Sequence, residues 1–375
     1  MSTTRIVLIL RHFTVGGLER VLLSHTRVLL DAGYQVTVCV LDPGRDNALV
    51  AELPTAVELV IAPRNRLHRN LFLAALVRDK VVVLEFGDGR LYPSIRPALR
   101  RARTVIRFCH SDYSHLRSRS KNRLDRALSR GEDHIVAVGG RSTRFLLDDV
   151  RIPATKVTTL TNAIETRTAA VAPPGAAWAQ DPYIVAVQSL YPHKGHNSLL
   201  HAFARAIAHT TTPARLVIIG DGDQTIALRQ LAATLGIADR IVWLGGVWQR
   251  DLVDSVLAGA SGFVSMSRFE GVPISVLEAR QHGLPLILTD IPGHRDGAGA
   301  HGPAVFVAID DNATFASHIR ELVIDTAPTT VARNTDTDID ALTLEWATYR
   351  NQFLSIINRA SGTKIPVQTP SISVS

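Results

Sequence analysis

"RIVLILRHFTVGGLERVLLSHTRVLLDAGYQVTVCVL", residues 5–41, sets the architecture of the chain. It opens on an unbroken apolar run, Ile6 to Leu10. The pair Gly16 and Gly17 follows, and then Leu18, Val21, Leu22, Val28 and Leu29 recur at helical spacing. Gly33 ends that helix, and a second apolar run, "YQVTVCVL", begins at once. Strands that are apolar throughout, joined by a helix, predict a parallel sheet covered on both faces.

The same rhythm continues outward. "VELVI", "KVVVLEF", "TVIRFC", "HIVAV" and "KVTTL" are the next strand-like runs. It breaks at "TAAVAPPGAAWAQ", residues 168–180, an Ala/Pro-rich and nearly uncharged stretch that reads as a linker. It restarts with "YIVAVQSL", "ARLVIIG", "RIVWLGG", "GFVSMS", "LPLILTD" and "AVFVAI". The expectation is an α/β protein with two doubly wound domains, 1–167 and 181–343, facing a cleft. A helix over 344–360 follows, with Leu344, Tyr349, Phe353, Ile356 and Ile357 on one stripe, and then a disordered tail, 361–375.

Composition bounds the rest. A 375-residue chain suits two cores, and 46% hydrophobic with 20% charged residues is globular. No apolar run approaches the ~20 residues of a membrane span. Cys39 and Cys109 lie in strand runs and read as buried thiols of a cytoplasmic protein. The net charge of +7 is concentrated: residues 96–130 hold eleven basic side chains against Asp112 and Asp125. That stretch fits a solvated helix face, an anionic membrane surface or an anionic acceptor, with Leu116, Leu124 and Leu128 as apolar points. It lacks the aromatics that stack nucleic-acid bases.

Chemistry concentrates in "RFEGVPISVLEA", residues 268–279. It follows a strand, so Glu270 sits on a loop at the strand's carboxyl end, where doubly wound sheets bind ligands. Gly271, Val272 and Pro273 turn the corner, and a helix starts near Ile274. Its free N–H groups, from Ile274 and Ser275, favour an anion. Glu278 lies on that helix. Two carboxylates around one set of anion-binding donors suit a nucleotide-linked sugar. No His/Cys/Asp cluster has metal-ligand spacing.

"SRFEGVPISVLEARQHGLPLILTD" resembles the Glu-x7-Glu signature of the family 4 glycosyltransferases, retaining enzymes of the GT-B fold. "VAVQSLYPHKGHNSLLHAF" is similar to the family's phosphate-binding strand-loop-helix, with Lys194 as its lysine. "RARTVIRFCHS" resembles the strand that ends in an active-site histidine, here His110. The Gly16–Gly17 loop, Asn162 and "RLVIIGDGDQTIALRQLAATLGIADRIVWLGGV" extend the likeness along nearly the whole chain. The resemblance implies a metal-independent transferase whose substrate is a UDP-, GDP- or ADP-sugar, without a further cofactor. Its acceptor would be a glycan or lipid-linked molecule of envelope polysaccharide synthesis. It implies Glu270, His110 and Lys194 as catalytic residues. Donor contacts would come from Gly16, Gly17, Lys194, Glu270, Gly271, Val272, Ile274, Ser275 and Glu278. It also implies a last helix that crosses back onto the first domain. Ser189 departs from the pattern, which has an arginine there, leaving His193, His196 or Arg268 to compensate.

Overall fold

The computed structural model describes residues 4–14, 16–42, 48–86, 91–111, 118–166, 175–247, 249–299, 304–325 and 335–362. Most of the linker, the tail beyond residue 362, Leu116, Arg117 and Asp112 lie outside the described residues. Every apolar run named above contains a strand. The first unit comprises β1 (Arg5–Leu10), α1 (Gly17–Asp31), β2 (Gln35–Val40), β3 (Glu58–Ile61), α2 (Arg66–Leu76), β4 (Val81–Leu84), α3 (Leu91–Leu99), β5 (Thr104–Cys109), α4 (Arg119–Ser129), β6 (His134–Ala137), α5 (Gly140–Arg144) and β7 (Val157–Thr159). The second comprises β8 (Tyr183–Val187), α6 (His196–Ala206), β9 (Arg215–Ile219), α7 (Thr225–Thr234), β10 (Ile241–Gly245), α8 (Arg250–Gly259), β11 (Gly262–Ser265), α9 (Ile274–Gln281), β12 (Leu286–Thr289), α10 (Pro292–Ala298), β13 (Ala304–Val307) and α11 (Asn312–Arg320). The last helix, α12 (Thr335–Ser361), contributes its residues from Leu344 onward to the first unit. The division runs Met1–Ala163 with Leu344–Ser375, and Ile164–Thr343.

Each unit holds one parallel sheet. The strand orders are β3-β2-β1-β4-β5-β6-β7 and β10-β9-β8-β11-β12-β13. The direction of winding reverses between β1 and β4, and between β8 and β11. At such a reversal the flanking helices diverge and leave a crevice beyond the strands' carboxyl ends. Right-handed crossovers put α1 on one face of the first sheet and α2, α3 and α4 on the other. Leu73, Val77, Ile95 and Leu99 form a core on the second of these faces, and Leu128 packs against it. The core of the second unit is likewise split across its sheet.

Three expectations need correction. The last helix begins at Thr335, nine residues before 344. Its buried stripe is Leu342, Tyr349, Phe353, Ile356 and Ile357, whereas Leu344 is exposed. Leu344 stands five positions before Tyr349, which at 3.6 residues per turn puts it on another face. The basic stretch is not all surface. Arg107 points inward from β5, with Nε 2.9 Å from Glu132 and Nη2 3.3 Å from Asp125. Burial alone would lower this guanidinium's pKa; Glu132 and Asp125 outweigh it and hold the charge in place. Leu128 also turns inward, so of the apolar points only Leu124 is an exposed one among the described residues. Cys39 and Cys109 are buried free thiols, and burial pushes Cys39 up to about 12.

Candidate active site

In the second unit, β8 and β11 lie side by side, and the loops after them carry Lys194 and Glu270. Lys194 Nζ donates to both carboxylate oxygens of Glu270, at 2.7 and 2.8 Å. Gly195 makes this approach possible. Its φ of +73° is left-handed, and a Cβ there would stand 2.0 Å from the Met266 carbonyl oxygen. Ser267 Oγ donates to Glu270 at 2.8 Å, and Gln188 Nε2 donates to Ser267 at 3.0 Å and Ser265 at 2.6 Å. His294 Nε2 lies 2.9 Å from Ser265. Burial pushes the Glu270 carboxyl up, and Lys194 more than reverses this, so it titrates below the ordinary value.

The helix after Glu270 starts where the sequence places it, at Ile274. Pro273 precedes it without a side-chain cap, and Glu278 lies on its second turn. Gly271 and Ser275 are half-buried, and Val272 and Ile274 are buried. Glu278 is nearly enclosed and is bound by Arg250, the first residue of α8. Arg250 also donates to Asp254 at 3.1 Å, and His282 lies 3.3 Å from the other Asp254 oxygen. Of the residues proposed to compensate for Ser189, Arg268 and His193 have other partners, and His196 lies beside Ser189 and Lys194. Arg268 pairs with Asp310 at the surface. His193 stacks on Phe269 with ring centroids 4.5 Å apart. His196 is buried, and its desolvated ring titrates at about 4.

In the first unit, Gly16 and Gly17 open α1 after β1. A Cβ at Gly16 would lie 2.5 Å from Glu19 Oε2, so a larger residue there would make the glutamate side chain turn away. Glu19 folds back over the turn, 3.4 Å from the Thr14 hydroxyl, and burial raises its pKa. His110 stands at the end of β5, as expected. Its Nε2 lies 2.9 Å from Glu85 Oε2, at the end of β4. The other Glu85 oxygen lies 2.6 Å from His25 Nδ1, and His25 Nε2 lies 2.6 Å from the Tyr349 hydroxyl. Thus His110, Glu85, His25 and Tyr349 form one chain from the sheet's carboxyl edge to α12. Burial would raise Glu85; His25 and His110 outweigh it and hold it at about 2.

Sequence reasoning missed Glu85, His25, Tyr349, Ser267, Gln188 and Arg250 as parts of these clusters. Two left a signal: Glu85 is a lone acid ending an apolar strand, and His25 falls four residues after Val21 on the apolar stripe of α1. Among the described residues no cluster of His, Cys, Asp and Glu could hold a metal ion, and no helix is long and apolar enough to cross a membrane.

Comparison with known proteins covers both units. A family model for glycosyl transferases group 1 matches residues 174–336, and one for Glycosyltransferase Family 4 matches residues 15–168. The phosphatidylinositol N-acetylglucosaminyltransferase gpi3 subunit of Schizosaccharomyces pombe is 24% identical over 297 residues, 74% of this chain and 64% of that protein. A lipopolysaccharide 1,6-galactosyltransferase of Salmonella typhimurium is 33% identical over 124 residues, 31% of this chain and 33% of that protein. The chain thus spans between a third and just under two thirds of the length of these relatives. Among solved structures, Anabaena Alr3699/HepE in complex with UDP-glucose superposes with a TM-score of 0.77 at 16% identity, covering 95% of this chain and 99% of that one. Sucrose-phosphate synthase of Thermosynechococcus elongatus gives 0.76 at 15% identity, covering 95% and 98%. At these identities the likeness is one of fold, the GT-B fold of two Rossmann-like domains. With both sheets wound alike and each matched by its half of the family, the chain belongs to the family 4, group 1 glycosyltransferases.

Proposed function

We propose that the protein transfers a sugar, with retention at the anomeric carbon, from a nucleotide-sugar donor to a glycan or lipid-linked acceptor. The observation that carries this is the Lys194–Glu270 pair, set at the carboxyl ends of β8 and β11 in the half matching the group 1 transferases. The donor's diphosphate would meet Lys194 and the N–H groups of Ile274 and Ser275, with Gly271 and Val272 shaping the corner. Charge growing on the departing diphosphate is then stabilised by a fixed cation and oriented dipoles, without a metal ion. Glu270, released from sole charge of the lysine, orients the sugar and stabilises positive charge at its anomeric centre. Glu278 accepts from the ribose hydroxyls, with Arg250 holding its carboxylate. His110 contacts the transferred sugar, and Gly16 and Gly17 let main-chain N–H groups approach the substrate. The acceptor belongs to envelope or extracellular polysaccharide synthesis, met on the cytoplasmic face of a membrane through the basic stretch 96–130.

Purified protein should be stabilised thermally by one of the UDP-, GDP- or ADP-sugars and should consume that donor in the presence of EDTA. NMR of the product should show the donor's anomeric configuration. Lys194→Ala and Glu270→Ala should each lower kcat/KM about 100-fold or more, with kcat affected as well as KM. Lys194→Ala with wild-type kinetics would exclude this site. One observation favours a second reading, a non-catalytic nucleotide-sugar-binding homologue: Ser189 replaces the arginine of the diphosphate clamp, and Arg268 is engaged with Asp310. Donor stabilisation without consumption would establish that alternative.

A further inference from the structure

The helices α2, α3 and α4 share one face of the first sheet, and their outer surface has two features the fold does not need. The first is charge. Helices α2 and α3 contain no acidic residue, and Asp125, the single acid of α4, is buried against Arg107. Exposed acids near the layer lie outside its three helices: Asp79 and Asp133 in connecting turns, and Asp149, whose carbonyl oxygen is 3.5 Å from Asn122 Nδ2 of α4, in the segment after α5. Against this stand the exposed cations Arg64, Arg66 and Arg78 around α2, and Lys121, Arg123 and Arg126 along α4. Arg66 and Arg119 even occupy the first positions of α2 and α4, where the helix dipole disfavours a cation, and neither first turn has an acid.

The second feature is apolar. Leu67 and Leu71 are 67% and 62% exposed, far beyond any other leucine on these helices except Leu124 at 48%. They stand one turn apart on α2, opposite the buried Leu73, and Ala75 continues their stripe. Asn65 caps the helix, accepting from the N–H groups of Leu67 and His68. Asn70 ties its inner side to the Ser94 carbonyl of α3. The leucines are therefore presented on a well-anchored helix.

We propose that this three-helix layer docks the protein on an anionic lipid bilayer, with Leu67 and Leu71 inserting at the interface and the arginines of α2 and α4 pairing with lipid phosphates. This extends the functional reading above, from which it takes only the membrane as the place of the acceptor. It moves the apolar contact from the 96–130 stretch, whose Leu128 is half-buried against the core, to α2. An interfacial helix needs an apolar strip flanked by cations, which α2 has on its outer side. Charge complementarity selects the lipid over a second copy, because two cationic layers placed face to face repel.

The test is flotation of the full chain with vesicles of phosphatidylcholine alone or mixed with phosphatidylglycerol, at low and high salt. Binding should require the anionic lipid and weaken as salt screens it. Leu67→Gln with Leu71→Gln should lower partitioning at least about tenfold. Lys121→Gln, Arg123→Gln, Arg126→Gln and Arg130→Gln together should lower it roughly a hundredfold or more. Both variants should keep the wild-type melting temperature and donor-induced stabilisation, which separates failure of the surface from failure of the transferase reading. Wild-type protein that ignores phosphatidylglycerol vesicles at low salt would overturn the proposal. Undiminished binding by the leucine variant would overturn the role of α2. A dimer in sedimentation velocity that the leucine changes dissolve, without vesicle binding, would assign the surface to a second copy instead.

Discussion

Glu85 is a carboxylate without solvent exposure between two imidazoles. Because it stays ionised, it accepts from both rings, so His110 donates from Nε2 and His25 from Nδ1. His25 Nε2 lies 2.6 Å from the Tyr349 hydroxyl, which continues the chain to α12. His25 is further held between aromatic rings, with its centroid 4.1 Å from Phe353 and 4.9 Å from Phe108. Glu85 thereby sets the tautomer and angle of His110, and Glu19 is the other carboxylate near that ring. Glu85→Gln should cost about 2–3 kcal/mol of stability at neutral pH, since it removes a charged acceptor from two buried donors. The folded carboxyl titrates at about 2, below its ordinary 4.5, so its stabilisation is complete above pH 4.5 and disappears as pH falls towards 2. Urea unfolding of both proteins across that range should show the gap narrowing on acidification. A gap independent of pH would mean that the carboxylate's charge is not what stabilises the fold.

At the level of elements, the site depends on how α6 begins. The turn before it has Lys194 N–H donating to the Tyr191 carbonyl at 2.9 Å, and Gly195 in the left-handed region is the N-cap of α6. The absence of a side chain at Gly195 lets this turn lie on the Met266 carbonyl, which leads into the Glu270 loop. Gly195→Ala introduces both a clash and a strained φ, and should cost about 2 kcal/mol or more. Because the backbone on both sides must shift, donor affinity should fall by a larger factor than stability alone implies, read by donor titration well below the melting temperature. A variant that binds donor normally would show that the two loops move as independent parts. The same element-level view explains Arg107. A strand residue with alternate neighbours Val105 and Cys109 must face the same side as they do, which is the core under α3 and α4.

Across the whole molecule, the first unit is discontinuous in sequence. Its last layer comes from residues beyond Thr343, after the chain has completed the second sheet. Tyr349, Phe353 and Ile357 are buried there, Tyr34 and Thr104 bond to the helix's last turns, and His25 has Tyr349 as its hydroxyl partner. Ending the chain after Thr343 should remove on the order of 5 kcal/mol of apolar burial from the first unit. We expect limited proteolysis to digest the first sheet in that truncated protein, while the second unit still protects itself in the presence of the donor. Equal resistance of both units would show that α12 is an accessory to the first core.

What the sequence determined by itself is local. Strands buried on both faces must be apolar throughout, so the central ones were visible as runs such as "RIVLIL" and "YIVAV", and the half-exposed edge strands were visible through their β-branched residues and the alternation with helices. Helix starts at Gly17 and Ile274 were visible because glycine and proline constrain the backbone whatever surrounds them. Lys194, Glu270 and His110 could be placed after strand ends, and Glu278 on the following helix, because their loops are short and their neighbours periodic. Only the tertiary structure decided which charges meet. Lys194 reaches Glu270 across 76 positions and His25 reaches Tyr349 across 324, and no local spacing encodes such pairs. The same holds for direction. Arg107 and Arg123 belong to one basic stretch, yet one is enclosed and the other exposed, and Leu67 and Leu73 belong to one helix with opposite fates. A side chain's partner and exposure follow from the order of strands in the sheet and the hand of the crossovers, which bring distant segments together.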